Sequence, residues 1–192
     1  MPGRQAKALS RRELNAALAA VRHRDTADRD RVIILLSVMA GLRACEIAGL
    51  QWHMVLDSRG KVTGLLELDD AIAKKRSGRR IPLHPELKAA LTTLRRSEEA
   101  TAGPVIRSGR GGHMQANSIV NWFVLLYRET GAQGCSSHSG RRTFITRAAR
   151  QAHKAGASLR DVQMLAGHRS IETTQGYIDG DSDAQRRLVA RL

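Results

Sequence analysis

The chain has 192 residues, 42% of them hydrophobic, which fits one folded domain with a real core and at most a small appendage. Its 32 Lys and Arg residues outnumber 18 Asp and Glu residues, giving a net charge of +14. A chain this basic usually binds a polyanion, so nucleic acid is the leading partner, ahead of a merely alkaline or ribosome-associated protein. No apolar run approaches the ~20 residues of a membrane span, and the first residues lack a signal-peptide pattern.

Two cysteines are present, Cys45 and Cys135. Their wide separation offers no disulfide framework, and a reducing cytosol fits them best. Cys135 and His138 form an isolated Cys-x-x-His, but a zinc site needs two further well-placed ligands. We therefore expect no metal.

The predicted elements are mostly helices. Ser10 and Glu13 form a capping-box signature that opens the first helix, and Gly41 stands where the second would stop in the left-handed conformation. Pro85 occupies the first turn of the fourth, a position that proline favours. The helices are expected to begin at residue 10 and then to cover about 27–40, 44–50, 85–96, 115–130, 140–154, 158–166, 170–177 and 183–192.

Between the third and fourth helices the pattern changes to strand-like segments at 52–56, 62–68 and 80–83. Turn signals at Asp57–Gly60 and Ser77-Gly78 separate them. The sequence therefore predicts an α+β fold, a mostly helical domain with a small three-stranded antiparallel sheet inserted after its third helix.

The two tyrosines have different surroundings. Tyr127 ends the apolar stripe Trp-Phe-Val-Leu-Leu-Tyr and is expected in the core. Tyr177 lies in the polar stretch Thr-Thr-Gln-Gly-Tyr-Ile-Asp, where a half-buried or interface tyrosine is the commoner outcome. As a nucleophile at neutral pH it would need a base or a cationic pocket, because a free phenol has a pKa near 10.

His138-Ser-Gly-Arg141 could supply such a pocket. Apolar residues follow it at helical spacing, so the motif is expected at a helix N-terminus, where backbone N–H groups favour a phosphate. Arg141 could grip two phosphate oxygens with its planar fork. The alternative is a capping histidine followed by a solvated arginine.

Arg43 belongs to the longer string Gly-Leu-Arg-x-x-Glu-Ile-x-x-Leu, directly after the predicted helix stop at Gly41. Glu46 stands three residues later and could form a simple i,i+3 ion pair with it. The same carboxylate could instead orient the guanidinium toward a ligand.

Lys74 opens a run of five cations in seven positions around the predicted Ser77-Gly78 turn. The run could be a solvated hairpin tip, a nuclear-localisation-like cluster, or a hairpin that enters a DNA groove. The cations expected to contact DNA in the last case, together with the one that follows Arg141, are Lys75, Arg76, Arg79, Arg80 and Arg142.

His168 follows a predicted helix end in Leu-Ala-Gly-His. It could cap that helix, or it could donate a hydrogen bond to a phosphoryl oxygen.

Joined in order, these motifs resemble the tyrosine recombinases, also called the phage integrase family. That family has Gly-Leu-Arg-x-x-Glu-Ile, a hairpin lysine eight residues before Pro-Leu, His-x-x-Arg, Leu-Gly-His, and a tyrosine nine residues later. Any one motif is weak, but six in order over about 9–188 are specific. The matching residues are Arg43, Lys74, His138, Arg141, His168 and Tyr177.

The resemblance implies a catalytic domain over residues 1–182 that cuts and rejoins DNA without metal, ATP or another cofactor. Two arginines and His168 would hold the scissile phosphate. Lys74, favoured over Lys75 by its spacing to Pro82, would protonate the leaving 5′ oxygen, and His138 would assist as acid or base. Tyr177 would attack and leave a 3′-phosphotyrosine.

The resemblance also implies partners: double-stranded DNA with specific recombination sites, and a tetramer on that DNA formed from a monomer or weak oligomer. A last helix at 183–192 would dock on a neighbouring protomer. We expect the protein in the cytoplasm, associated with the nucleoid.

The family's N-terminal clamp domain has no counterpart in the sequence, which predicts either a single-domain recombinase like those of fimbrial switches or a fragment, although Met1-Pro-Gly reads as a natural start. Arg142 stands where the family often has histidine, and Ala166 replaces a frequent leucine. Neither change removes a group that the mechanism requires. A type IB topoisomerase-like enzyme and a non-catalytic DNA-binding regulator are the alternatives, and the intact set of six residues favours the recombinase.

Overall fold

A computed structural model describes residues 6–73, 78–177, 186 and 189–190. Helices dominate this part of the chain, and two short 3-10 helices lie at Trp52–Met54 and His153–Ala155. The α-helices are α1 (Arg11–Val21), α2 (Ala27–Met39), α3 (Ala44–Gly49), α4 (Pro85–Ser97), α5 (Ala116–Glu129), α6 (Ser139–Ala152), α7 (Leu159–Ala166) and α8 (Ile171–Gln175).

Helix α2 is the centre of the main core. Every residue from Val32 to Val38 is buried, because α4 and α6 both pack against it and leave no side free for solvent. Where α6 begins, Gly140 lies so close to α2 that a Cβ atom there would be 2.2 Å from Ser37 Oγ. The glycine therefore sets how closely the start of α6 approaches the core.

The sheet consists of β1 (Leu65–Leu68) and β2 (Arg79–Pro82), which run antiparallel with Leu65 opposite Pro82. The α+β class is confirmed, but the predicted three-stranded sheet is wrong among the described residues. The expected strand at 52–56 instead forms a 3-10 turn, in which Val55 donates its N–H to the Trp52 carbonyl. Within the segment 52–56, Leu56 makes an isolated β-bridge to Val62.

A second, smaller apolar cluster lies on the C-terminal side of the domain. Ile145 of α6 and Val162 and Ala166 of α7 form it, with Phe144 and Tyr177 packed against its edge. Helix α7 also contacts β2 and α8, so this cluster joins the sheet to α8.

The helices predicted from residue 10 to residue 177 are all present, with bounds that shift by a few residues. Most of the predicted helix at 183–192 lies outside the described residues. Lys74, Lys75 and Arg76 also lie outside them. None of the described helices is long and apolar enough to cross a membrane.

Candidate active site

Arg43 lies at the tight junction between α2 and α3. Gly41 has a φ of +63°, and a Cβ atom there would be 2.4 Å from the Phe144 ring, so both conformation and space require glycine. Arg43 is the N-cap of α3, and its backbone N–H donates to Glu46 Oε2 over 2.9 Å. The junction thus turns the arginine out of the helix and ties it to the first turn of the next one.

The Glu46 carboxylate is fully buried and accepts hydrogen bonds from two arginines. Arg43 Nη1 donates to Oε1 over 2.7 Å, and the Nη1 and Nη2 atoms of Arg79 donate to Oε1 and Oε2, each over 3.0 Å. Burial by itself would raise the pKa of Glu46, but the hydrogen bonds and charges of Arg79 and Arg43 outweigh it and hold the pKa below its ordinary value. The carboxylate is therefore ionised and fixes both guanidiniums.

Arg141 is 3% exposed and is held by two main-chain carbonyls. Its Nη1 donates to the Gly41 carbonyl and its Nη2 to the Ala166 carbonyl, both over 2.6 Å. Burial and the nearby charge of Arg43 lower the pKa of Arg141, yet an arginine remains cationic at neutral pH. Its position links the α2–α3 junction to the C-terminal end of α7.

Arg79 does not lie where a DNA-contacting residue would. Its side chain is only 6% exposed, and besides Glu46 it donates from Nε to the Leu165 carbonyl over 2.8 Å. The next residue, Arg80, has a side chain that is 74% exposed and pairs with Glu67. The prediction that both arginines contact DNA is therefore wrong for Arg79, because its guanidinium is hydrogen-bonded inside the protein.

His168 follows the left-handed Gly167 that ends α7, and it is half-buried. Its Nδ1 hydrogen-bonds to the buried Thr174 hydroxyl of α8 over 2.9 Å. Burial, followed by the charges of Arg141, Arg43 and Arg79, lowers the pKa of His168 to about 4. The imidazole is therefore neutral at physiological pH in the free protein.

Tyr177 stacks on that imidazole. The two ring centroids are 5.5 Å apart with 23° between the planes, and the guanidinium carbon of Arg142 lies 5.7 Å from the Tyr177 ring centre. The backbone carbonyl of Tyr177 accepts a hydrogen bond from Thr146 of α6 over 3.4 Å. Tyr177 is half-buried against cationic neighbours, whereas Tyr127 lies in the core as predicted.

An open cleft of about 1160 Å³ lies in front of Tyr177. His138, the exposed N-cap of α6, lines it together with Arg142 and Lys7, and Glu172 adds one acidic group. Among the described residues no group of three His, Cys, Asp or Glu side chains could hold a metal ion.

The structure thus brings Arg43, Arg141, His168 and Tyr177 to one region, with His138 at the cleft beside Tyr177. Sequence reasoning missed Thr174 and the internal position of Arg79. Apart from its spacing from His168, nothing in the sequence indicates that Thr174 would bind that imidazole. The alternation of β2 did contain a signal for Arg79, because Arg79 and the buried Ile81 stand on the same face of the strand.

The sequence pattern of the phage integrase family matches residues 7–183. This chain belongs to the phage integrase family. It is 28% identical over 189 residues to a putative integrase/recombinase, y4rC, of Sinorhizobium fredii, which covers 95% of the chain and 55% of that protein. It is 30% identical over 152 residues to the tyrosine recombinase XerC of Xanthomonas axonopodis pv. citri, covering 78% of the chain and 46% of that protein. The chain spans about half the length of these curated relatives.

Solved structures share the fold at low sequence identity. The crystal structure of XerA recombinase superposes with a TM-score of 0.75 at 20% identity, covering 100% of this chain and 65% of that one. The Tn1549 transposon integrase in complex with a circular intermediate DNA gives 0.76 at 18% identity, covering 100% and 67%.

Proposed function

We propose that this member of the phage integrase family is the catalytic part of a site-specific DNA recombinase that cuts and rejoins strands through a 3′-phosphotyrosine, without metal or ATP. The observation that carries the proposal is the stack of Tyr177 on His168, beside the buried Arg141 and Arg43 whose charges act on that imidazole. A lone phenol next to fixed cations is the arrangement that attack on a phosphodiester requires.

In the proposed step the Tyr177 hydroxyl loses its proton to His138 or to water and its oxygen bonds to phosphorus. Lys74 gives a proton to the departing 5′ oxygen as the phosphorus–oxygen bond breaks. Arg43, Arg141 and His168 stabilise the charge that develops on the non-bridging oxygens, His168 through Nε2 because Thr174 engages Nδ1. A 5′ hydroxyl then attacks the phosphotyrosine and restores a phosphodiester, so no external energy source is needed.

Double-stranded DNA is the proposed partner, in the cytoplasm at the nucleoid. The net charge of +14 supports this, as does the Tn1549 integrase, a fold relative solved with DNA. Arg80 and Arg142, with Lys75 and Arg76 of the basic run, are the proposed contacts. Assembly would be a tetramer on specific sites, with 183–192 docking on a neighbouring protomer.

Tyr177→Phe is expected to abolish covalent attachment to DNA while leaving DNA affinity within about twofold, because only the attacking oxygen is removed. The probe is a duplex library with one 5′-bridging phosphorothiolate linkage flanked by randomised positions, since a thiolate leaves without an acid and traps the adduct. Adducts are measured by denaturing gel and the linked residue by mass spectrometry.

Tyr127→Phe, which removes the hydroxyl of the buried tyrosine, is the matched control and should still form the adduct. An adduct that persists in Tyr177→Phe, or no adduct with the wild-type chain across the library, overturns the proposal. Strand exchange between two selected duplexes separates a recombinase from a topoisomerase-like enzyme, and binding without an adduct identifies a non-catalytic regulator.

A further inference from the structure

Arg79 lies where three elements of the candidate site meet. It is the first residue of β2, its guanidinium binds the Glu46 carboxylate of α3, and its Nε binds the Leu165 carbonyl in the last turn of α7. In the sequence, Lys74 stands five residues before β2, Arg43 directly before α3, and His168 two residues after α7. The proposed chemistry assigns no role to Arg79 itself.

The loop before His168 closes directly onto Arg79. Gly167 has a φ of +63°, and a Cβ atom on it would lie 3.0 Å from Arg79 Nη1 and 3.1 Å from its Cδ. The glycine therefore ends α7 and also makes room for the guanidinium beneath the Ala-Gly-His turn. Contact with Gly167 and the bond to Leu165 fix the arginine to both sides of this helix end.

We propose that Arg79 is a positioning residue of the catalytic site, which fixes Arg43 through Glu46 and fixes His168 through the end of α7 without touching the phosphate. The inference rests on the proposed function for its catalytic meaning. The same contacts anchor the first residue of β2, one residue after Gly78, whose N–H donates to Asp70 Oδ1 over 2.7 Å. The start of β2 is thus fixed both at Gly78 and at Arg79.

The sharing of Glu46 explains why a second cation is needed. Each carboxylate oxygen accepts one bond from Arg43 and one from Arg79, so Arg79 takes half of the hydrogen bonds that hold the carboxylate. Without Arg79 the buried carboxylate would draw on Arg43 alone and compete with a phosphate for its donors. A lysine could neutralise the charge but could not bind Glu46 twice and Leu165 as well.

The test compares Arg79→Met and Arg79→Lys with Arg96→Met, which removes an exposed arginine at the end of α4, outside the site. Adduct formation is measured at saturating protein on an ordinary nicked duplex of a selected sequence, and affinity is measured separately in the Tyr177→Phe background. We expect both Arg79 variants to slow adduct formation by ~10- to 100-fold, because small misplacements of catalytic groups are that costly. Affinity should stay within about twofold, since Arg79 contacts no DNA, and Arg96→Met should match the wild type in rate.

A second readout needs no chemistry. In the free protein, NMR titration of the His168 ring from about pH 8 to about pH 3 should show a raised pKa in Arg79→Met, because a nearby positive charge is lost, and little change in Arg79→Lys or Arg96→Met. If Arg79→Met does not fold, as judged by circular dichroism, Arg79→Lys decides the question by its rate.

A folded Arg79→Met with wild-type adduct rate overturns the inference, and so does a variant that loses affinity and rate in equal measure, which would make Arg79 a DNA contact. Failure of the proposed function looks different, because the wild-type chain itself then gives no adduct. The His168 titration still judges Arg79 in that case, and an unchanged pKa in Arg79→Met overturns its link to His168.

Discussion

At the scale of single residues, the polar atoms of the candidate site are held mainly by the main chain and by one carboxylate. Arg141 binds two carbonyls and Glu46 binds two guanidiniums, so the cations are in place before any ligand arrives. A preorganised set of this kind needs no reorganisation when charge develops in a transition state, which is where most electrostatic catalysis originates.

His168 should make the stability of the protein depend on pH. Its folded pKa of about 4 lies below the ordinary value of 6.5, so the unfolded chain binds a proton that the folded chain rejects. The stability that neutral His168 contributes is full above pH 6.5 and is lost as the pH falls toward 4. For a half-buried group we expect a loss of about 1–2 kcal/mol after solvent screening.

Urea unfolding of the wild type and of His168→Gln over this pH range measures the effect. The difference in unfolding free energy between the two should change with pH in the stated direction. Parallel curves, or a wild type that gains stability on acidification relative to the variant, would refute the assignment of a neutral, desolvated imidazole.

Those residues of the candidate site that belong to a sequence motif can be predicted from the sequence. Six residues are predicted to converge. Arg43, Arg141, His168 and Tyr177 lie in one region and His138 lines the adjoining cleft, while Lys74 lies outside the described residues. The position of Arg79 was not foreseen, because a cluster of cations predicts a solvated surface and the burial of one of them depends on Glu46, which lies 33 residues away. The ion pair itself leaves no local pattern, and the alternation of β2 indicates only that Arg79 shares a face with the buried Ile81.

At the scale of elements, the contact between α2 and α6 controls where Arg141 stands. Gly140 precedes Arg141 in the first turn of α6 and touches Ser37 of α2. A larger residue would push the start of α6 outward and with it the arginine, so the glycine of the His-Ser-Gly-Arg motif has a packing role of its own.

Gly140→Ala is therefore expected to destabilise the protein. The added methyl would lie 2.2 Å from Ser37 Oγ and 2.8 Å from Ser37 Cβ, and overpacking of this kind costs about 1–3 kcal/mol. Because the contact is this close, we take the upper part of that range, about 2–3 kcal/mol. Alanine also favours a helix by ~1 kcal/mol over glycine, so we expect a net loss of about 1–2 kcal/mol in the free energy of unfolding.

Gly109→Ala is the control, because nothing lies within 4 Å of a Cβ atom there, and it should change stability by no more than about 0.5 kcal/mol. Urea unfolding measures both variants. Equal stabilities for the two would show that the contact between α2 and α6 relaxes freely.

Element boundaries were predictable where capping residues mark them, as at Ser10 and Pro85. The failure at 52–56 has a physical reason. Trp52 and Val55 are buried and strand-like in composition, but the chain closes a 3-10 turn there through main-chain bonds that side-chain composition does not reveal. The strand propensity of these residues therefore predicts a third strand, and tertiary packing overrides that propensity.

At the scale of the whole molecule, positive charge is the dominant property. The net charge of +14 was enough to predict a polyanion as partner, although not which one. The overall architecture was predicted in outline because the helical periodicity is strong, whereas the convergence of distant motifs came from their order along the chain.

Binding of duplex DNA should weaken steeply with salt, because phosphate contacts release counterions. Between about 50 and 200 mM NaCl we expect affinity to fall by at least ~10-fold, and Arg80→Met, which removes an exposed cation of β2, should reduce the logarithmic slope by about 1. Fluorescence anisotropy with the Tyr177→Phe protein measures both, and Arg96→Met serves as the control for loss of one distant charge. An affinity that does not respond to salt would contradict binding through the DNA backbone.

Arg43 and Arg79 share one buried carboxylate, and Arg141 lies close by, so this group of four side chains carries two more positive charges than negative ones. The like charges of these guanidiniums repel one another, and a multivalent oxyanion bound among them would relieve that repulsion. Such an ion stabilises the native state through mass action. Pyrophosphate or heparin in the buffer should then raise the melting temperature of the purified protein. The size of the increase should depend on the charge of the anion that is added.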